Sequence, residues 1–523
     1  MWKKPPADFA DGADNNSAPS AKSAGDVKPF LPFGKTFQAM SSKRILAALL
    51  FSSLFFSKIF AQNTPVLSQN KQAIINSVQK HEQELIGLSD QIWAFAETAL
   101  QEHQSSKLLA DYAEKQGFRV RRNVSGMPTA FIAEYGSGKP IIGILGEFDA
   151  LPGISQKASP AKEPLVEGAA GHGCGHNMFG PGSMGAAVAV KELMEQGKLK
   201  GTIRFYGTPA EEAVGGKIYM ARDGLFNDLD VCLDWHPDTE IDALTQSSQA
   251  MVDFRVEFYG KAAHAAYDPW NGRSALDALE FFAHGVNNLR EHVRPSVRMH
   301  YVFKEGGDVP NVIPEKAIVW MWVRDSKRAG MDEVYARVQK IAEGAALMAD
   351  VSYSIKLNNG SYELLVNRTG AKALHQNLEL LGPIVYTPEE EDFAKKIQAA
   401  SGVPQTGMDG KVKPLKDTRA DPDGGSTDVG DVSWNVPEIT LLAPTAPPKA
   451  PWHSWAVVAC GGMSIGHKGM LHASKGLGLT LVDLFENESL RADIRKEFEE
   501  RRGGHVYKAM LPDGPPPVPP GNK

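Results

Sequence analysis

Four short apolar runs, each followed by side chains of the kind that bind metals, constrain this chain more than any other feature. Residues 140–146, 202–207, 230–234 and 438–442 are continuous rather than alternating in hydrophobicity. That is the pattern of strands covered on both faces of a parallel sheet. Between the first two lies a helix-like stretch, 184–194. Ahead of them, residues 70–97 carry Ile75, Val78, Leu85, Leu88, Ile92 and Phe95 at the spacing of one helix face. Strand, helix, strand in this rhythm predicts the α/β class with a mainly parallel sheet.

The pattern changes near residue 246. Residues 251–259 alternate, as a half-exposed strand does. A helix over 274–293, strands near 299–303 and 317–324, a helix over 331–349 and a strand over 352–357 follow. That order is the one found in a ferredoxin-like α+β unit. The expected organisation is therefore a leader and signal (1–61), a first catalytic part (62–245), an inserted unit (246–360), a second catalytic part (361–510) and a Pro-rich tail (511–523).

The leader is read from composition. Residues 1–39 are polar and Pro/Ser/Ala-rich without periodicity. Lys43 and Arg44 precede an apolar run over 45–56, and Ala61 offers a small residue before Gln62, as in a secretory signal. The run is short for a bilayer span, which needs about 20 residues. The expected location is secreted or periplasmic, with no stable membrane association after cleavage. A net charge of −6 with interspersed signs gives no basic face for nucleic acid. Three cysteines make no disulfide framework. Cys232 and Cys460 read as buried thiols, whereas Cys174 stands among glycines and histidines.

In an open parallel sheet, ligands bind beyond the carboxyl ends of the strands. Here those positions hold Glu147-Phe148-Asp149, then Gly171-His172-Gly173-Cys174-Gly175-His176-Asn177, then Glu211-Glu212, His236 and His453. Singly, each is ordinary: a loop histidine is usually a solvated one. Together they make the donor set of zinc or manganese, and paired carboxylates allow one to bind metal while the other moves a proton. A cysteine nucleophile at Cys174 with His176 or His236 as base is the rival reading. The two-residue spacing in a Gly-rich loop suits joint metal binding better.

Gly146-Glu147-Phe148-Asp149-Ala150-Leu151-Pro152-Gly153, the Cys174/His176 run, Thr208-Pro209-Ala210-Glu211-Glu212, Gly260-Lys261-Ala262-Ala263-His264 and Asn311-Val312-Ile313-Pro314 resemble the amidohydrolase branch of the aminoacylase/carboxypeptidase-like metallopeptidases. That branch includes hippurate, auxin-conjugate and p-aminobenzoyl-glutamate hydrolases. The loop 155–170 and the run 464–470 look most like the last group. The resemblance covers about residues 70–510. It implies a di-metal catalytic domain with an inserted lid or dimerisation domain, two divalent ions (zinc or manganese) and a homodimer formed through the insertion. The implied metal ligands are Cys174, His176, Glu212, His236 and His453. Glu211 is implied as general base, Asp149 as a residue steadying the metal site, His264 as a lid residue polarising the scissile carbonyl, and Asn311 and Arg324 as substrate-binding. One departure stands out: the wider family's metal-binding His after the first strand is Glu147 here. The expected activity is hydrolysis of a small-molecule amide such as an N-acyl amino acid or p-aminobenzoyl-glutamate-like conjugate. A dipeptidase or aminoacylase of other specificity, or an inactive metal-containing binding protein, are the alternatives.

Overall fold

The computed structural model describes residues 67–417 and 424–519; the leader and signal expected over 1–61 lie outside them. Eleven strands form two sheets among the described residues. The first is built from β1 (Arg119–Arg122), β2 (Phe131–Ser137), β3 (Ile141–Gly146), β4 (Gly201–Gly207), β5 (Val231–Asp238), β6 (Asp242–Ala243) and β11 (Glu438–Pro444), in the order β1-β2-β4-β3-β5-β11-β6. Its centre, β4-β3-β5-β11, is parallel, and antiparallel strands extend both sides. The four central strands are the four apolar runs. β1, β2 and β6 had no such signal: β1 reads Arg-Val-Arg-Arg and β6 is two residues long.

The second sheet comprises β7 (Ala250–Tyr259), β8 (Arg298–Glu305), β9 (Lys316–Asp325) and β10 (Ser352–Ser361). Its order is β10-β7-β9-β8, antiparallel throughout. Helices Ala275–Leu289 and Arg328–Ala349 cover one face, burying Phe254, Phe258, Phe282 and Met321 between the layers. This is the strand order of a ferredoxin-like unit, and it carries its own apolar core.

Three helices pack together on one side of the first sheet: α1 (Gln69–Phe95), α2 (His176–Glu195) and α3 (Ser464–Glu486). α1 buries Ile74, Val78, Leu85, Leu88 and Ile92 along one stripe. Its N-cap Ser68 accepts a hydrogen bond from the Lys71 amide, satisfying one of the first turn's free donors. α2 begins eight residues before the sequence-based expectation of 184. Nearly every residue from His176 to Val190 is buried, so the helix lacks the one-sided stripe by which amphipathic helices are recognised. Close packing demands small residues here. A Cβ on Gly182 would lie 2.9 Å from the Trp235 ring, and that indole donates to the Phe179 carbonyl at 3.0 Å.

Candidate metal centre

The strands of the first sheet end around one cluster of side chains. β3 delivers Glu147 and Asp149. β4 delivers Glu211 and Glu212 through a turn. β5 carries His236 within the strand, paired with Leu442 of β11, rather than in a following loop as the sequence suggested. The apolar run of β5 ends at Leu233, but backbone pairing with β11 continues to Asp238. Cys174 and His176 stand at the start of α2, on either side of Gly175 with φ of +78°, a conformation open to glycine at little cost. His453 comes from the loop after β11.

Three overlapping groups have donor atoms within 4.8 Å of one another: Cys174, His176 and His236; Cys174, Glu212 and His453; and Glu147, His176 and Glu211. All five residues implied as ligands are thus brought together, with Cys174 shared by the first two groups. The Cys174 Sγ is 3.5 Å from His236 Nε2, and His453 Nε2 is 3.5 Å from Glu212 Oε2. The histidines are oriented by what their other nitrogen touches. His176 Nδ1 lies 3.0 Å from Asp149 Oδ1, and His236 Nδ1 lies 2.7 Å from the Pro237 carbonyl. Nδ1 is thereby engaged on each ring, and Nε2 is the nitrogen that faces the cluster. The second oxygen of Asp149 accepts from the Glu212 amide at 2.9 Å, so one carboxylate fixes two of the five.

Backbone strain holds the presenting loops. Ala210, just before the two glutamates, has φ of +63°, and His453 has φ of +53°; such values are uncommon in non-glycine residues. The Ala210 amide donates to Glu102 Oε1 at 2.9 Å, and Thr129 donates to the other oxygen of that carboxyl. Burial and the charge of Asp149 raise Glu102 to about 8.

Carboxylates dominate the cluster: against the effect of burial, Glu147 and Asp149 hold His176 well above the ordinary imidazole value. Burial, with Glu147 and Glu212 beside it, holds Glu211 well above the ordinary carboxylate range. Burial raises Glu212 to about 7 against the pull of His176, and pushes the Cys174 thiol up to about 12. Burial and His176 bring His236 down to about 4. Glu147 Oε2, His176 Nε2 and Glu212 Oε1 are buried without a hydrogen-bond partner. Orphaned acceptors, a thiol and three histidines around one point fit divalent cations, which would satisfy these atoms together.

Two charged residues that sequence reasoning missed support the site. Lys217, fully buried, contacts Glu147 Oε1 and Asp428 Oδ1, each at 2.6 Å. Neither carried a signal: Lys217 follows two glycines like an exposed turn residue, and Asp428 sits in a polar loop.

None of the inserted unit's candidates belongs to these three groups. His264 is exposed; its Nδ1 accepts from the amides of Ala266 and Tyr267 at 3.2 and 3.0 Å. Asn311 is exposed, and its carbonyl accepts from the Ala265 amide. Arg324 lies 5.1 Å over the Trp322 ring, with its Nε buried and unpartnered.

Residues 143–411 match the family model for peptidase family M20/M25/M40. The chain is 38% identical to a p-aminobenzoyl-glutamate hydrolase component of Escherichia coli over 85% of this chain and 98% of that protein. It is 29% identical to human Xaa-Arg dipeptidase over 79% of this chain and 88% of that protein. A dinuclear metal-binding peptidase of the M20 family from Bacillus subtilis superposes with a TM-score of 0.52 at 18% identity, covering 78% of this chain and 99% of that one. The chain belongs to peptidase family M20/M25/M40 and is a metal-dependent amidohydrolase.

Proposed function

We infer that this protein hydrolyses the amide bond of N-acyl amino acids or p-aminobenzoyl-glutamate-like conjugates, with Glu211 as general base. The observation that carries the reading is the position of Glu211. It is a half-buried carboxylate of high proton affinity, next in sequence to Glu212 but outside the two groups that share Cys174. The p-aminobenzoyl-glutamate hydrolase relative supports the substrate class.

Cys174, His176 and His236 would hold one ion, and Cys174, Glu212 and His453 the other, zinc or manganese. Bound there, the ions would lower the pKa of a water and polarise the substrate carbonyl. Glu211 takes the proton of the attacking water and passes it to the nitrogen of the leaving amine. Asp149 keeps His176 and Glu212 aimed at the site. His264 reaches the carbonyl oxygen when the inserted unit closes. Two amides already donate to its Nδ1, so the neutral ring carries its proton on Nε2, ready to donate to an oxyanion. Arg324, with its unpartnered Nε, binds a substrate carboxylate, and Asn311 assists. The ferredoxin-like unit also forms the homodimer contact, and the mature secreted protein begins near Gln62.

The test is turnover of p-aminobenzoyl-glutamate, acyl amino acids and dipeptides with and without a chelator. Chelator-sensitive release of the amine from p-aminobenzoyl-glutamate or an acyl amino acid supports the reading. Activity confined to dipeptides favours a dipeptidase, to which the Xaa-Arg dipeptidase relative points. Inactivity on all of them with metal bound favours a binding protein.

A further inference from the structure

The Glu147 carboxylate has two faces with different surroundings. Oε1 is engaged by Lys217 at 2.6 Å, and Lys217 is engaged in turn by Asp428 at 2.6 Å and by the backbone contact of its own amide with Asp428 Oδ2 at 2.9 Å. This clamp uses up one oxygen and fixes the plane of the carboxylate. Oε2 is left without a hydrogen-bond partner, although Glu147 is 1% exposed. Its one close neighbour is His176 Nε2, equally buried and 3.0 Å away.

Without an ion, His176 bridges two carboxylates, Asp149 at Nδ1 and Glu147 at Nε2. An ion bound at Nε2 takes the place of the proton there, and Oε2, 3.0 Å away, then has no donor and faces the same ion. The separation is that of neighbouring ligands on one cation: bonds of about 2.1 Å put adjacent donors about 3.0 Å apart at right angles and about 3.4 Å apart in a tetrahedron. Glu211 completes this third group within 4.8 Å.

We propose that Glu147 is a sixth metal ligand of this protein, binding through Oε2 the same ion as His176. Lys217 and Asp428 are positioning residues that hold its other oxygen away from the site. The ion at His176 then has a carboxylate donor in addition to Cys174, His176 and His236. The inference rests on the two-ion reading of the site and adds a ligand to it.

The experiment measures metal content and affinity, not turnover. The purified protein is stripped with chelator and equilibrated across a buffered series of free Zn²⁺ and, separately, Mn²⁺. Bound metal is counted by mass spectrometry for the wild type and Glu147→Gln. Losing a ligand weakens one of the two sites at least tenfold and leaves the other within twofold. A crystal structure of the metal-loaded wild type provides the second measurement, because Glu147→Gln leaves Lys217 poorly compensated and can cost folding. Oε2 within about 2.0–2.2 Å of an ion is expected. Two sites of unchanged affinity in Glu147→Gln, or Oε2 more than about 3 Å from every ion against that bond length, overturns the role of Glu147 while the two-ion reading survives. A wild type that takes up no ion beside His176 overturns both.

Discussion

Asp149→Asn separates the two tasks of one carboxylate. In the native site Oδ1 accepts from His176 Nδ1 at 3.0 Å and Oδ2 accepts from the Glu212 amide at 2.9 Å. Asparagine offers one acceptor and one donor group. If its oxygen keeps the Glu212 amide, its NH₂ faces His176 and moves the ring proton to Nε2, removing the lone pair that would bind metal. If its oxygen keeps His176, the NH₂ meets the Glu212 N–H and the Glu212 turn must shift. Either way one hydrogen bond to a charged group is lost, about 1.5–3 kcal/mol. At about 1.4 kcal/mol per tenfold, that is roughly a 10- to 100-fold weaker ion. The assay is bound metal against buffered free metal, with circular dichroism to check the fold. One ion should weaken by that factor while the other changes little. Two ions held at wild-type affinity would refute the claim that Asp149 orients either ligand.

Glu211→Gln should lower kcat by roughly a hundred- to ten-thousand-fold with metal content unchanged, whereas Glu212→Gln should lower metal occupancy; the opposite pattern would mean the roles are exchanged. His264→Ala should cost turnover, measured on any accepted substrate, with metal content and Tm unchanged; near-wild-type turnover would remove its oxyanion role. Hydrogen bonds from Lys80 and His81 outweigh burial and hold Glu192 at about 2, so its stabilisation is present above the unfolded value near 4.5 and is lost as pH falls towards 2. Glu192→Gln should therefore lower stability by about 1 kcal/mol at neutral pH after solvent screening, with the Tm curves of variant and wild type converging in strong acid; a gap that stays constant from neutral pH down to about 2.5 would contradict this.

The parallel centre of the sheet and the ligand cluster at its carboxyl end were legible because both leave local marks. Apolar runs announce buried strands, and His, Cys and Glu are conspicuous after them. What the sequence hid depends on distant partners. His236 belongs to β5 because β11, far later in the chain, continues the pairing. The first two turns of α2 are buried all round, which erases periodicity. Lys217 and Asp428 are 211 residues apart and become meaningful only when both touch the same buried network. Glu102 likewise reaches the site through a hydrogen bond to Ala210, 108 residues away.

The ferredoxin-like sheet opens with β7 and closes with β10, and these two strands are neighbours, with Met251 opposite Ser361. The chain therefore enters and leaves the unit through adjacent positions. A pair of connections so close together makes one narrow stalk, braced where Gly360 pairs with Met510 and Asn359 donates to the Ala213 carbonyl; tilting the unit changes dihedrals in a few residues on either side and gives up such contacts, while every strand pairing inside it stays intact. Joining the two crossing points by a short turn would excise the unit without lengthening any path in the remaining sheet. The rest of the chain would keep its hydrogen-bonded order β1-β2-β4-β3-β5-β11-β6, and with it the scaffold of the metal cluster, but would lose His264, Asn311 and Arg324 together. A single deletion thus separates the part that carries the donor cluster from the part that carries the side chains proposed to meet the substrate.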